Sequence, residues 1–253
     1  MRIGIDLGSR KVKFALADQE QVTRLGDFDT LSFYKRFGRM RSDELSFDLA
    51  GSGLFSADEL KASSVVATGY GRNTLNLTGA RVVSEIRAHV AGAVFQTGKG
   101  DFTLLDMGGQ DTKVALVRGG TLQDFVMNDK CAASSGRYLE NMAAILEVDL
   151  DELSRHWENP VRLDATCGIF GESELIGQIL RGYSVDRLCA GVNRTLVKRV
   201  IPMLRRFPSE LIVLTGGVAR NRSMVRLLEG EGFTVSVPEH PQHNGAIGCA
   251  VIR

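Results

Sequence analysis

Residues 5–16 read IDLGSRKVKFAL, and residues 105–116 read LDMGGQDTKVAL. The two stretches align without a gap at an offset of 100 residues, and Asp, Gly, Lys, Ala and Leu recur at matched places. Each stretch has the pattern of a β-hairpin, with an Asp-x-Gly turn between two strands. A repeat at this separation predicts two similar halves that each contain such a hairpin.

The turn of each hairpin has the composition of a phosphate-binding loop. Gly8 and the pair Gly108-Gly109 allow backbone N–H groups to approach a phosphate closely. Asp6 and Asp106, at the end of the first strand of each copy, are suited to hold Mg²⁺ through water. One copy alone would indicate an ordinary hairpin, whereas the matched pair predicts two loops that grip one triphosphate.

A third glycine-rich turn lies near the end of the chain. The apolar run Leu211–Leu214 predicts a buried strand, residues 215–217 read TGG, and a helical pattern covers Ser223–Glu229. Gly-Gly between a strand and a helix places backbone amides at a helix N-terminus, where anions bind. A plain strand-to-helix turn is the alternative interpretation.

The composition excludes several classes of protein. The chain has 253 residues, of which 43% are hydrophobic and 24% charged, as in ordinary globular proteins. Lys and Arg number 31 against 30 Asp and Glu, so we expect no nucleic-acid or anionic membrane partner. No apolar run is long enough to span a bilayer, and the start MRIGIDLG lacks the pattern of a signal peptide, so we expect a cytoplasmic protein.

Amphipathic patterns predict helices between and after the glycine turns. They cover the ranges Glu85–Gln96, Ser135–Leu146, Glu172–Leu180, Ala190–Leu204 and Gly245–Val251, and Phe233–Val237 is expected to be a strand. Strands followed by a helix, twice, predict an α/β protein with two lobes. We expect a first lobe over residues 1–95, with the closing helix at about 245–253 as a candidate to pack on it, and a second lobe over residues 96–253.

Two of the four cysteines are placed like ligands. Cys131 and Cys167 precede predicted helices that begin near Ser135 and near Gly171, and a helix N-terminus favours a thiolate. An iron–sulfur cube usually takes four thiolates, so two per chain predict one cluster on the axis of a two-fold dimer.

The other two cysteines, Cys189 and Cys249, are expected to be buried in the core. No CxxC pair is present, and a cytoplasmic chain is not expected to form disulfides. Ligation of one cluster within a single chain by all four cysteines remains the alternative.

The three glycine turns together resemble a known superfamily. Asp6-x-Gly8, Asp106-x-Gly108-Gly109 and Thr215-Gly216-Gly217 are similar to the two phosphate loops and the adenosine loop of the acetate kinase, sugar kinase, Hsp70 and actin superfamily. This resemblance implies a two-lobed, duplicated actin-like ATPase fold of the ribonuclease H-like type, with ATP bound between the lobes.

A narrower resemblance runs from Gly4 to about Ala250. Residues 67–73 (ATGYGRN), 106–113 (DMGGQDTK), 128–133 (NDKCAA), 170–174 (FGESE, just after Cys167) and 242–246 (QHNGA) are similar to the activator ATPases of 2-hydroxyacyl-CoA dehydratases and the ATPase subunits of benzoyl-CoA reductases. The chain departs from that family at residues 133–136, which read ASSG in place of Ala-Gly-Thr-Gly, and near Phe170, where Val-Phe-Ala-Glu is usual. The departures concern the partner more than the cofactors.

The resemblance implies a set of cofactors and of residues that bind them. The cofactors are ATP or ADP, Mg²⁺ and one [4Fe–4S] cluster per homodimer, the cluster being bound by Cys131 and Cys167. Asp6 and Asp106 would hold Mg²⁺. The residues expected at the phosphates, the nucleoside or elsewhere around the cofactor are Gly8, Ser9, Arg10, Lys11, Lys13, Gly69, Gly108, Gly109, Gly216, Gly217, Asn221 and Gln242.

Gln110 follows the second glycine pair, and two roles stay open for it. It either orients the water that attacks the γ-phosphate or donates to a phosphate oxygen.

The implied function is an ATP-dependent one-electron donor. It would couple ATP hydrolysis to low-potential electron transfer, from ferredoxin or flavodoxin through its cluster, to an iron–sulfur dehydratase or reductase such as 2-hydroxyacyl-CoA dehydratase. A double-cubane cluster protein is an alternative acceptor. The rival functions are a small-molecule kinase of the same superfamily, which has no use for Cys131 and Cys167, and a nucleotide switch without catalysis.

Overall fold

The computed structural model describes residues 1–18, 20–41, 44–69, 80–129, 131–165 and 167–252. Residues 70–73 and Lys130, which belong to two of the motifs above, lie outside the described residues. The chain divides into two compact units: unit 1 comprises Met1–Gly100 and Gln242–Arg253, and unit 2 comprises Asp101–Pro241. The closing helix therefore lies in unit 1, although the chain from Asp101 to Pro241 lies in unit 2.

The strands and helices follow one another in mixed order. The strands are β1 (Arg2–Leu7), β2 (Lys11–Ala17), β3 (Val22–Asp29), β4 (Gly38–Arg41), β5 (Glu44–Phe47), β6 (Ser64–Gly69), β7 (Ala80–Val82), β8 (Phe102–Met107), β9 (Thr112–Arg118), β10 (Thr121–Asn128), β11 (Leu211–Thr215) and β12 (Thr234–Ser236). The helices are α1 (Thr30–Phe37), α2 (Ala57–Ala62), α3 (Glu85–Thr97), α4 (Gly136–Ile145), α5 (Leu150–Leu153), α6 (Gly168–Leu180), α7 (Val185–Leu204), α8 (Arg222–Gly230) and α9 (Asn244–Val251).

The central sheets of the two units have the same topology. Their strand orders are β3-β2-β1-β6-β7 in unit 1 and β10-β9-β8-β11-β12 in unit 2. In each sheet, an antiparallel three-stranded meander is extended by two parallel strands beside its first strand. The repeat predicted from the two hairpins is thus confirmed, and it extends to whole five-stranded sheets.

Aromatic rings and close backbone contacts build the core of unit 1. Phe33 is fully buried, and its ring centroid lies 5.3 Å from that of Phe14 and 4.9 Å from that of Phe47. On the other face of the sheet, α9 packs at backbone contact, since a Cβ on Gly4 would lie 1.9 Å from the carbonyl oxygen of Ala246. Only glycine in β1 permits that approach.

Three helices of unit 2 pack together beside its sheet. Tyr138 and Met142 of α4 contact Gly171 of α6, where a Cβ would meet them at 3.9 and 3.6 Å. Leu175 of α6 and Leu196 of α7 are fully buried in the same core. This packing holds the starts of α4 and α6, which follow Cys131 and Cys167.

Two predicted helix starts are wrong. The helix predicted from Glu172 begins at Gly168, and the one predicted from Ala190 begins at Val185. Each glycine in a helix costs about 1 kcal/mol of helix stability relative to alanine, so Gly168 and Gly171 favour a later helix start. The packing of α6 on α4 at Gly171 offsets that cost. For α7, the start signals are Ser184 at the N-cap and Asp186 in the first turn.

The remaining predicted elements are confirmed to within two residues at each end. Across the described ranges, no helix is both long and apolar enough to cross a bilayer.

Candidate functional site

The first Asp-x-Gly hairpin buries a carboxylate beside a lysine. Asp6, at the end of β1, is 2% exposed and lies opposite Lys13 in the β1–β2 ladder. The Nζ atom of Lys13 is 3.1 Å from Oδ2 of Asp6. A buried carboxylate needs such a partner, and the lysine of the repeat supplies it.

The second hairpin repeats this arrangement with one addition. Asp106 is also 2% exposed and lies opposite Lys113, whose Nζ is 3.9 Å from Oδ2 of Asp106 and 2.5 Å from Oδ2 of Asp111. The hydroxyl of Thr215 donates to Oδ1 of Asp106 at 2.7 Å. Asp106 is therefore fixed by two neighbouring strands.

A second pair of matched residues lies next to the aspartates. Gly69 follows Thr68 at the end of β6, and Gly216 follows Thr215 at the end of β11. Both glycines have positive φ, 111° and 86°. A Cβ on Gly69 would lie 2.6 Å from the carbonyl oxygen of Leu7, and a Cβ on Gly216 would lie 2.2 Å from the carbonyl oxygen of Met107. Both positions thus require glycine.

From the sequence, Gly69 and Gly216 were not predicted to be matched positions of the repeat. The signal that relates them is the tripeptide pair ATG at 67–69 and LTG at 214–216, each ending the strand parallel to an Asp-bearing strand.

The tips of the two hairpin turns are exposed to solvent. Ser9, Arg10 and Lys11 are exposed in the first turn, and Lys11 pairs with Asp27 at 2.5 Å. The hydroxyl of Thr30 donates to the carbonyl of Gly8 at 2.7 Å and so ties the turn to α1.

In the second turn, Gly108 and Gly109 are half-buried and Gln110 is exposed at the tip. The N–H of Gly108 donates to the carbonyl of Asp111 at 2.9 Å, which closes the turn. This placement of Gln110 is compatible with both of its predicted roles.

Two further ligand-type side chains lie beside Asp6. Glu85 and His89 occupy adjacent turns of one face of α3, and ligand atoms of Asp6, Glu85 and His89 all lie within 4.8 Å of one another. A Cβ on Gly245 would lie 3.0 Å from Oδ2 of Asp6 and 2.9 Å from Nε2 of His89, so the start of α9 closes over this group.

Carboxylate oxygens and an imidazole nitrogen are donors that divalent cations accept. Glu85 and His89 were not predicted as ligands from the sequence. Their spacing of four residues on a predicted helix was the available signal.

The residues expected around the nucleoside, Gly216, Gly217 and Asn221, lie in and after the third glycine turn, in unit 2. Gly217 is exposed, and the N–H of Gly216 donates to the carbonyl of Pro241 at 2.9 Å. Asn221 is 6% exposed; its Oδ1 accepts from the N–H of Ser223 at 2.9 Å, and its Nδ2 donates to Oδ1 of Asn193 at 2.8 Å. Asn221 therefore caps α8 and shapes the turn from within.

Gln242, the last of the expected cofactor-binding residues, lies half-buried in the turn Pro241–His243, where the chain returns to unit 1.

The four cysteines fall into two classes. Cys131 is exposed, directly before the turn Ala132–Ser134 that leads into α4, and Cys167 is half-buried at the N-cap of α6. Cys189 and Cys249 are fully buried, as expected. Burial raises the pKa of the Cys189 thiol to about 11 and that of Cys249 well above its usual value.

Thiolates are the protein ligands of iron–sulfur clusters, and four are needed for a four-iron cube. Cys131 and Cys167 fit one half of such a ligand set, whereas the two buried thiols are sealed within the cores. Cys131 and Cys167 are therefore the two cysteines of this chain whose side chains are accessible to such a cluster.

The second glycine turn is bonded directly to the segment that follows Cys131. The carbonyls of Gly108 and Gly109 accept from the N–H groups of Gly136 and Arg137, both at 2.9 Å. The hydroxyl of Ser135 donates to the carbonyl of Gly109 at 3.1 Å. Three hydrogen bonds therefore join the second glycine turn to the first turn of α4.

Asn128 extends the connection toward the cysteine itself. Its Oδ1 accepts from the N–H of Cys131 at 3.3 Å, and its Nδ2 donates to the hydroxyl of Ser134 at 3.0 Å. The side chain of Asn128 is thus bonded both to Cys131 and to Ser134.

Comparison with known proteins gives consistent matches. The family model described as the BadF/BadG/BcrA/BcrD ATPase family matches residues 3–252. The (R)-2-hydroxyglutaryl-CoA dehydratase activating ATPase of Acidaminococcus fermentans is 43% identical over 192 residues, which cover 74% of this chain and 73% of that protein. The activator of lactoyl-CoA dehydratase of Anaerotignum propionicum is 36% identical over 262 residues, covering 98% and 95%.

Among solved structures, the activator of the 2-hydroxyisocaproyl-CoA dehydratase from Clostridium difficile with bound ADPNP superposes with a TM-score of 0.84 at 32% identity. The match covers 99% of this chain and 92% of that one.

Proposed function

The chain belongs to the BadF/BadG/BcrA/BcrD ATPase family, with its actin-like fold, and we propose that it is an ATP-dependent one-electron donor to an iron–sulfur dehydratase or reductase, such as a 2-hydroxyacyl-CoA dehydratase. The observation that carries the proposal is the set of hydrogen bonds from Gly108 and Gly109 to the start of α4, directly after Cys131. These bonds join a phosphate-type turn to the start of the helix that follows the exposed Cys131.

The glycine turns bind the phosphates of ATP in this proposal. Gly8 and Gly108-Gly109 admit the phosphate oxygens to backbone N–H groups. Asp6 and Asp106 hold Mg²⁺ through water, and Glu85 and His89 extend the donor set around Asp6. Lys13 and Lys113 balance the charge of the carboxylates when the metal is absent.

Hydrolysis depends mainly on how the reacting groups are positioned. Gln110, exposed at the tip of the second turn, orients the attacking water or binds a phosphate oxygen. Gly216 and Gly217 contribute to the nucleoside site, and Asn221 shapes it by capping α8.

Cys131 and Cys167 bind one half of a [4Fe–4S] cluster, and the same residues of a second copy bind the other half. When bound, the cluster supplies a low-potential one-electron donor, recharged by ferredoxin or flavodoxin. Loss of the γ-phosphate releases the turn at Gly108-Gly109, and the bonds to Ser135, Gly136 and Arg137 carry that movement to the Cys131 segment.

The test is the iron content and molecular mass of anaerobically prepared protein. We expect a homodimer with about two irons per subunit, since two thiolates per chain supply half of a four-iron cluster. Cys131→Ala and Cys167→Ala each remove two of the four ligands at once and should abolish iron binding. Cys189→Ala is the matched control and should retain the iron, because Cys189 is fully buried.

Four irons in a monomer would overturn the bridging arrangement. Protein without iron that transfers the γ-phosphate of ATP to a small-molecule acceptor would favour the kinase.

A further inference from the structure

One arginine side chain joins the two cysteine-bearing segments of unit 2. Arg199 lies on α7; its Nη1 donates to the carbonyl of Ala133 at 2.5 Å, and its Nη2 donates to the carbonyl of Ala165 at 2.7 Å. Ala133 lies two residues after Cys131, and Ala165 lies two residues before Cys167. A single planar group therefore spans both segments within one chain.

The guanidinium is itself held in place by an aromatic ring. Its central carbon lies 4.4 Å from the ring centroid of Tyr138, which is 4% exposed on α4. Burial raises the pKa of the Tyr138 hydroxyl, so the ring stays neutral at physiological pH. A cation over a buried ring is held more strongly than one at an exposed ring.

The segment before Cys167 has a second attachment, to α6. Both carboxylate oxygens of Glu174 accept from the N–H of Asp164, at 2.8 and 2.9 Å, and Oε2 also accepts from the N–H of Ala165 at 2.8 Å. The Ala165 residue is thus held at its N–H by Glu174 and at its carbonyl by Arg199. Helices α4, α6 and α7 all contribute to fixing this one stretch of backbone.

We propose that Arg199 is a positioning residue that sets the spacing between Cys131 and Cys167 for binding of an iron–sulfur cluster. The proposal rests on the proposed function for the identity of the ligand. The spacing itself is a property of the metal-free chain and is measurable without iron.

Lysine is not an adequate substitute for Arg199. Its ammonium is a compact point charge without the planar fork, so it is unsuited to hold two carbonyls and stack on Tyr138 together. Arg199→Lys therefore retains the charge and loses the bridge, and Arg199→Gln loses both. Arg194 offers a control on the same helix, because it forms an ion pair with Glu231 at 3.4 Å instead.

The experiment measures the distance between spin labels on Cys131 and Cys167 from the dipolar broadening of the continuous-wave electron paramagnetic resonance spectrum of frozen protein. The protein is metal-free and diluted with unlabelled chain, and Cys189 and Cys249 stay unlabelled because they are fully buried. We expect one narrow distance distribution in the wild type and in Arg194→Gln. We expect a clearly broader one in Arg199→Gln and in Arg199→Lys, with circular dichroism reporting that each variant is folded.

A second readout is the rate at which a chelator removes iron from anaerobically reconstituted protein. Arg199→Gln and Arg199→Lys should lose iron about tenfold faster than Arg194→Gln, the scale of losing an outer-shell support of a metal site. Nucleotide affinity should be unchanged.

An unaltered, narrow distance distribution in folded Arg199→Lys or Arg199→Gln would overturn the proposal, whatever the iron content. Absence of iron from wild-type protein, together with the expected broadening, would instead overturn the proposed function and leave Arg199 as the residue that sets the thiol spacing.

Discussion

Asp6 and Asp106 show at the scale of single residues how the repeat is used. Each carboxylate is 2% exposed at the end of a strand, and each faces the lysine seven residues later across the hairpin. The aspartates and lysines were predictable because they recur in the sequence at a fixed offset. Glu85 and His89 were not recognised, because their proximity to Asp6 depends on how α3 packs beside β1 rather than on any local pattern.

The first prediction concerns Asp106→Asn. The variant should stay folded, because Thr215 can still donate to the amide oxygen and Lys113 keeps Asp111 as a partner. Its Mg²⁺-dependent ATPase rate should fall about 100-fold, the scale of removing one charged group at a phosphoryl-transfer site. Steady-state phosphate release measures this rate.

Asp124→Asn is the matched control, since Asp124 lies at the surface in an exposed pair with Arg206 and contributes little. A wild-type rate in Asp106→Asn would remove Asp106 from the metal site.

At the scale of helices and strands, the start of α4 connects the second glycine turn with the cysteine region. The starts of α4 and α6 follow Cys131 and Cys167. The sequence predicted that helices follow Cys131 and Cys167, because the amphipathic pattern of each is clear. It placed the start of α6 near Gly171 instead of Gly168, because glycine normally disfavours a helix. It could not predict the bonds from Gly108 and Gly109 to α4, because these backbone contacts join residues that are distant in sequence.

The second prediction tests that link with Ser135→Ala. The substitution removes the 3.1 Å bond from the hydroxyl to the carbonyl of Gly109 and leaves the two backbone bonds to the same turn. ATP hydrolysis should stay close to the wild-type rate, because Ser135 does not belong to the phosphate-binding set. The effect of nucleotide on the rate of iron removal by a chelator should be clearly smaller than in the wild type.

Ser209→Ala is the control, because it removes a hydroxyl-to-carbonyl bond of the same length, to Leu211. An undiminished nucleotide effect in Ser135→Ala would mean that the link runs elsewhere.

At the scale of the whole molecule, the repeat is a duplication of five-stranded sheets with the same strand order. The duplication could be predicted from the sequence because the two Asp-x-Gly hairpins align without a gap at an offset of 100 residues. The return of the chain to unit 1 through α9 was harder to foresee. It depends on Gly4, Gly92 and Gly248, each of which allows backbone contact with a neighbouring element, and lone glycines carry no such signal in a sequence.

In the proposed function, the nucleotide bound at the glycine turns changes the position of the backbone around Cys131. The most direct measurement is the rate at which bathophenanthroline disulfonate removes iron from the anaerobic wild-type dimer. The rate is compared with MgADP and with Mg²⁺ and ADPNP at saturation. We expect two clearly different rates, and a clearly smaller difference between them when Ser135 is replaced by alanine. Equal rates in the two nucleotide states, in protein that hydrolyses ATP, would contradict this expectation.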